Sequence, residues 1–596
     1  MSEHASLPAH HEQPRWRWWL LLAAIIATLV LGVRGFRQYE HAVSPESEQL
    51  GNLSALYATL QLFALHTPHM EGKLVNPSLE IARWVAAAIS LWTVGAALRR
   101  IYAMEWRRFR LSLSRDHVVI CGAGWRGLPL ARDFAHPLRG APGRPRREAR
   151  VIVIEKDPAA PGLAECQHLG IPCLVADASD PAVLREAGVH RARLLVVTCS
   201  SDAVNLAIAI HARRLAQALR PRGEPLQCHL HLSNPDLRTA VRQRGLVADV
   251  EGRIAISTFG IDVYEHSARR LFEEHPLDYR TIDPSGPLRA HLVVVGLGDL
   301  GESVLIQAAR IGHFANGLRL RVTVADLEAP VRKAALLSRY PQLPQVCDLE
   351  FRQLDARDPS LLALADRLCG EPDNLVTFAV CLPDGAFNLA LGLKLADMPQ
   401  VARSESPVRV RIPSRSGLTL LLSEKRQREL FGDRIRPFGM LEDVCNRESL
   451  ERTEVEAVAR ALHENYARRT AASGPAKAWA DLPDDLRRSN FHAADHFAVK
   501  MRAVGLFLAG PGEPGGAIPA FSPSQVDILA RMEHRRFCAE RFLAGWRHAP
   551  GPKDPVAKTN PTLVPWEEIS EMEKDKDRDQ VRQIPGIVSA MRRISS

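Results

Sequence analysis

The 596-residue chain has ten cysteines and no C-x-x-C pair among them. That absence excludes the common zinc sites and any disulfide framework, so the thiols fit a reducing compartment. No A-x-A cleavage site follows the first apolar run, which continues through Val33, Arg34, Gly35 and Phe36. A removable leader is therefore the weaker reading of that run. The acidic stretch Glu571–Asp579 lacks the glycine and alternating oxygen ligands of a calcium loop, and reads as a solvated helix face. No metal site is expected. The net charge of +9 is modest, and much of it is local: Arg99, Arg100, Arg107, Arg108, Arg110 and Arg115 follow the second apolar run. Such a cluster fits a positive-inside membrane flank better than a nucleic-acid surface.

What is present is ordinary folded protein, 46% apolar and 24% charged, long enough for about four domains. Trp18–Val33 and Trp84–Leu98 are apolar runs flanked by arginines. They predict a membrane module over about residues 1–112, with spans near 16–36 and 79–101. The arginines after Leu98 place both termini in the cytoplasm. Between the spans, Leu53–Met70 is apolar and too short to cross, so a re-entrant-like segment is expected at about 53–67. This order resembles the two-helix pore module of potassium-channel-like proteins, and implies a monovalent-cation pore. One departure bears on selectivity. That family's filter carries a T-V-G-Y-G type run whose carbonyls replace the ion's water, whereas this chain reads LHTPHMEG at Leu65–Gly72. The alternative is an amphipathic extracytoplasmic helix without conduction.

A glycine-rich unit then appears twice. HVVICGAGWRG at His117–Gly127 is matched by HLVVVGLGDLG at His291–Gly301. VIVIEKD at Val151–Asp157 is matched by VTVADLE, LVADASDPAVL at Leu174–Leu184 by RQLDARDPSLL, and the helices around Asn205 and Asn388 by each other. Short β-branched strands alternating with helical patterns predict a buried parallel sheet in each copy. The fold class is α/β: two tandem Rossmann-like domains, about 113–290 and 291–435, on an all-α two-helix membrane module. In each loop the first glycine allows the turn, the second lets backbone approach a pyrophosphate, and the third lets helix and strand pack. The candidate nucleotide residues are Gly122, Gly124, Gly127, Glu155 and Asp177 in copy one, and Gly296, Gly298, Gly301, Asp326 and Asp355 in copy two. Glu155 and Asp326 are placed to accept from ribose hydroxyls. Leu138–Arg150 and His313–Leu320 are expected to be surface loops that lengthen the interval between glycines and acid.

With IVIEKDP and VADASDP in these places, Leu113–Ile435 resembles tandem TrkA-N domains, the nucleotide-binding part of RCK regulatory modules of potassium channels and transporters. The resemblance implies NAD(H) or an adenine nucleotide in the crevice, a homo-oligomer (a tetramer) and transmission of closure to a membrane gate.

From Phe438 the pattern turns helical, giving a mostly α-helical region at about 436–596. Gly474–Asp485 and Gly510–Pro519 read as linkers. Val526–Pro585 resembles a ryanodine-receptor (RyR) repeat, through Gly545–Trp546, the TNPTLVPW block at Thr559–Trp566 and the acidic run. Asn560 and Trp566 stand where that family favours His and Tyr. Trp546 and Trp566 are expected as core anchors. The sharper alternative joins them with Arg535, Arg536 and Lys558 in a pocket for a nucleotide-like ligand.

These readings converge on a nucleotide-sensing, channel-like protein of a bacterial inner (plasma) membrane. The alternative is a pore-less membrane-anchored sensor or defence effector acting through partners. An enzyme is not expected: there is no separate substrate domain, and no motif places a Lys, His or Tyr proton donor.

Overall fold

The computed structural model describes residues 16–43, 51–66, 76–112, 114–135, 150–220, 225–234, 256–413, 434–451, 453–470, 484–507 and 519–587, with a few isolated positions besides. The chain divides into two compact units, Met1–Leu113 and Ser114–Ser596.

The first unit is built on helices α1 (Trp16–Val43), α2 (Asn52–Phe63) and α3 (Pro77–Ser112). Trp19–Tyr39 and Pro77–Leu98 are long and apolar enough to cross a membrane, by length and composition. Small residues set how close the helices come. A Cβ on Gly32 would lie 2.3 Å from Thr59 on α2, and one on Gly35 would lie 2.9 Å from the Leu79 backbone on α3. Ala55, Ala58, Ala82 and Ala86 fill the seam with Phe36, Leu62 and Leu79, the packing expected where lipid offers no hydrophobic drive. Trp19, Ile26, Trp84, Leu91 and Trp92 face outward. Ser90 Oγ donates to the Phe63 carbonyl at 2.6 Å and satisfies the end of α2. The expected re-entrant segment is thus helical only to Phe63, and most of LHTPHMEG lies outside the described residues. α3 runs beyond the expected span as one 36-residue helix, about 54 Å long, because no proline or glycine interrupts Arg99–Ser112.

The second unit holds two six-stranded, all-parallel sheets. In the first, β1 (Val118–Cys121), β2 (Val151–Glu155), β3 (Cys173–Val175), β4 (Leu194–Val197), β5 (Leu226–His231) and β6 (Ile256–Ile261) take the order 3-2-1-4-5-6. In the second, β7 (Arg289–Val295), β8 (Arg321–Asp326), β9 (Asp348–Gln353), β10 (Asn374–Val380), β11 (Val408–Arg411) and β12 (Ile435–Phe438) repeat it, with β7 for β1 and β10 for β4. The central strands are buried on both faces, as their unbroken Val/Ile/Leu runs require. The expected joints at 290 and 435 fall inside β7 and β12. Pairing with β10 and β11 carries those strands past the change in sequence pattern.

The C-terminal region covers both sheets. Val444, Cys445 and Leu450 join the core of the first, beside Phe134. Val499, Met532, Trp566, Val581 and Ile584 share one core with Leu292, Val294 and Leu305 of the second. His313–Leu320, expected as a surface loop, is largely covered: Phe314 is buried, and its carbonyl accepts from Arg535 at 2.9 Å. His496 bonds to the His313 carbonyl at 3.0 Å. The expected linkers fall mostly outside the described residues.

Candidate nucleotide site

Each glycine loop lies at the switch point of its sheet, between β1 and β4 or between β7 and β10, where open α/β sheets hold ligands. The glycines divide the work as their chemistry dictates. Gly122 and Gly296 turn the chain at φ +97° and +89°, a region that side chains disfavour. Gly124 and Gly298 face open space, so a ligand can reach the backbone. A Cβ on Gly127 would sit 1.9 Å from the Gly122 carbonyl oxygen, and one on Gly301 would sit 2.1 Å from that of Gly296. Only glycine lets these helices start so close to the strand.

The two acids at the ends of β2 and β8 are held alike. Glu155 accepts from the Ala123 N–H at 2.6 Å and the Asp157 N–H at 3.0 Å. Asp326 accepts from the Leu297 N–H at 2.7 Å and the Glu328 N–H at 2.8 Å. Each carboxylate thus ties the glycine loop to the next strand. It keeps lone pairs for further donors, because an ionised carboxylate offers about four acceptor sites.

Asp177 and Asp355 shape turns. Asp177 accepts from the Ser179 N–H at 2.9 Å and from Lys156 at 2.8 Å. Those bonds, Lys156 first, hold its carboxyl well below the usual range. Asp355 accepts from the Arg357 N–H at 2.9 Å. The second acid of each D-A-x-D, Asp180 or Asp358, caps the following helix. Sequence matching aligned Asn205 with Asn388 but gave neither a role. Both are fully buried, and each donates to two carbonyls at the ends of adjacent strands: Asn205 to Cys199 and His231, Asn388 to Leu382 and Arg411. Their recurrence in the repeat was the available signal.

The loops differ in charge. Copy one has Trp125 and Arg126 where copy two has Asp299 and Leu300. Trp125 is 51% exposed, with the Arg126 guanidinium 3.7 Å from its ring centre. Arg126 Nε is buried without a hydrogen-bond partner among the described residues. The groups acting on its guanidinium are Tyr264, Cys445 and Asp202. Copy two instead places Asp299 and Glu302 in the first turn of the helix Asp299–Ile311.

The five residues considered for a second ligand pocket each meet partners within the protein. Arg535 turns to the Phe314 carbonyl, and burial lowers its guanidinium to about 10. Lys558 donates to the Ala544 carbonyl at 2.9 Å, at the end of the helix Pro523–Leu543. Trp566 is buried edge-on to His534, and Trp546 is buried under Arg541 and Lys553. Arg536 is buried against Glu533 at 2.7 Å, and Glu533 also takes the fully buried Lys500.

Residues 118–223 match the TrkA-N domain. The RyR domain matches residues 517–592. An uncharacterised protein of Methanothermus fervidus is 28% identical over 131 residues, 22% of this chain and 17% of that protein. Potassium channel protein 1 of Methanocaldococcus jannaschii is 24% identical over 127 residues, 21% of this chain and 35% of the channel. The chain therefore spans well under half of these curated relatives. Among solved structures, GsuK bound to ADP gives a TM-score of 0.38 at 15% identity, covering 74% of this chain and 100% of that one. The GsuK channel bound to NAD gives 0.36 at 13%, covering 74% and 85%. Likeness at that level carries nothing about a ligand of this chain.

Proposed function

We propose that this chain is a nucleotide-sensing membrane protein in which an adenine nucleotide or NAD(H), bound by the TrkA-N unit of copy one, gates a monovalent-cation pore. The observation that carries the reading is the loop Gly122–Gly127: open at Gly124, with Glu155 at one end and the unpartnered Arg126 Nε at the other. The pyrophosphate would lie over Gly124 and the helix start, with the ribose hydroxyls donating to Glu155. In this reading the unit acts as a sensor rather than an enzyme.

The membrane side of the proposal has both termini cytoplasmic, and four chains surround one pore. α3 continues without a break from its apolar part to Ser112, and the proposal takes this helix as the route to the gate. A ligand shifts a gate only by its different affinity for two states, and a stiff connection passes that difference on. Ion flux into liposomes, followed while nucleotide is added, tests the reading. Flux that responds to nucleotide is expected, and insertion of a flexible Gly-Ser segment after Tyr102 should abolish the response while calorimetric binding persists. A response that survives the insertion rules out this route. Absence of flux from the unmodified protein, with binding retained, favours the pore-less sensor.

A further inference from the structure

The first unit carries two arginines that its own described residues leave unpaired. Arg34 and Arg37 lie inside the apolar stretch Trp19–Tyr39 of α1, one turn apart. Like charges at that spacing repel. A charged side chain in a span ordinarily meets an opposite charge or a backbone carbonyl. Neither guanidinium makes a hydrogen bond or ion pair with a described residue. Glu80 is the one acid among the unit's described side chains, and Arg83 holds it at 3.5 Å. The missing anion must therefore come from elsewhere.

Beside these arginines α1 and α2 border a groove of about 550 Å³. Leu29, Val30 and Val33 form one apolar wall, and Leu56 of α2 forms the other. Arg34, Arg37 and His41 line the polar end. The sequence dictates this division. Positions 30, 33, 34, 37 and 41 recur at three- and four-residue steps, so one face of α1 is apolar up to Val33 and basic after it. Gln38, at the same end, accepts from the Asn76 side chain just before α3. That leaves its NH2 for a further acceptor.

Depth separates a lipid from a dissolved anion. Trp19 is exposed, as interfacial tryptophans are. From Trp19 the helix rises about 22 Å to Arg34 and about 33 Å to His41. A hydrocarbon core is ~30 Å thick. Residues 29–33 therefore lie at acyl-chain depth, and residues 34–41 cross into the phosphate layer of the far leaflet. A phospholipid has the same order along its length, an apolar chain and then an anionic phosphate. A dissolved phosphate matches only the basic end. Snorkelling into water satisfies the guanidinium groups but leaves the apolar walls below them without a cover.

We propose that this groove binds one anionic phospholipid per chain. Arg34 and Arg37 hold its phosphate with His41 beside them, and an acyl chain lies along Val30, Val33 and Leu56. The proposal rests on α1 crossing a membrane and on neither a pore nor a nucleotide, so absence of flux or of nucleotide binding leaves it standing.

The test strips the full-length protein of lipid in detergent and offers phosphatidylglycerol or phosphatidylcholine with identical acyl chains. Native mass spectrometry counts the lipid retained. One phosphatidylglycerol per chain should be held at least ~10-fold more tightly than phosphatidylcholine, since each arginine near a membrane surface favours anionic lipid by a factor of about five. Arg34→Gln with Arg37→Gln should erase that preference, and Arg34→Lys with Arg37→Lys should keep most of it. A large excess of inorganic phosphate should not displace the lipid. In the unmodified protein, phosphatidylglycerol with a photoactivatable acyl chain should label the peptides carrying Val30, Val33 or Leu56. Equal retention of the two lipids, a preference that survives the glutamines, displacement by phosphate, or labelling elsewhere overturns the proposal. So does crosslinking of Leu56→benzoylphenylalanine to a second chain instead of to lipid, which would put another copy in the groove.

Discussion

The two sheet units share strand order, glycine geometry, a loop-tying acid and a buried asparagine clamp, yet they are built into the molecule differently. Copy one's helix Gly127–Ala135 buries Gly127, Leu130, Ala131 and Phe134. Copy two's Asp299–Ile311 is buried along most of its length, between the helix Val263–Glu274 and the C-terminal helices. Copy one carries Trp125 and Arg126 in its loop, and copy two carries Asp299 and Leu300. A duplicated scaffold can keep its backbone chemistry while the charge at its loop and the cover on its helix diverge; the proposed function assigns the ligand to the copy with the cationic loop.

The sharpest way to break this contrast is Lys500→Met. Lys500 is fully buried against Glu533, which Arg536 and Gln580 also hold, so its removal costs less than the ~3–5 kcal/mol of leaving a buried charge unpaired. Because the C-terminal helices and the second sheet share one core, hydrogen exchange should accelerate in β7 and β10 along with the helix Pro523–Leu543. Protection in β1 and β4 should hold. Equal loss in both sheets would mean that the copies are not separately supported.

Acid should divide the copies in the same way. Burial lowers His291 to about 4 and His313 to about 3, and holds His492 and His496 well below their ordinary value. An unfolded histidine titrates near 6.5, so between there and the folded values the unfolded chain binds more protons. Stability contributed by these groups is full above about pH 6.5 and falls as pH drops toward 4 and 3. Burial also lowers His275 to about 3. Glu273, pushed up to about 7 by burial, and His534, which burial lowers but Asp577 and Cys538 raise to about 10, oppose with the other sign. Copy one has His117 and His190, both lowered by burial. Exchange measured from neutral pH to about pH 5 should therefore loosen the second sheet and C-terminal helices first. Earlier loosening of β1 would contradict the assignment.

A smaller effect concerns the loop charges. Arg126→Met should weaken adenine-nucleotide binding by about 1.5–3 kcal/mol, the worth of a charged hydrogen bond. Asp299→Asn should leave that affinity unchanged, as read by calorimetry. An effect of Asp299 as large as that of Arg126 would place the ligand in copy two.

How much of this the sequence disclosed follows the range of each interaction. The glycine loops, Glu155, Asp326 and the apolar helices were legible because each rests on a local pattern. α3 runs past its expected end because no helix breaker stands in Arg99–Ser112. The cover over His313–Leu320 was not, since Arg535 and Phe314 are 221 residues apart and neither carries a motif. Arg535 and Lys558 read as ligand groups for the same reason: a cation near tryptophans looks alike whether it meets a phosphate or a buried carbonyl. The ends of the second sheet were misplaced by a few residues because β12 pairs with β11 after the composition has changed.

Calorimetric titration of the full-length protein with ADP and with NAD(H) tests the central claim most directly, comparing Gly124→Val with Gly298→Val. Both glycines face open space, so either valine leaves the fold standing and closes only its own loop. The account predicts one site per chain, abolished by Gly124→Val and retained in Gly298→Val. Binding that survives Gly124→Val, or that is lost only in Gly298→Val, would contradict it.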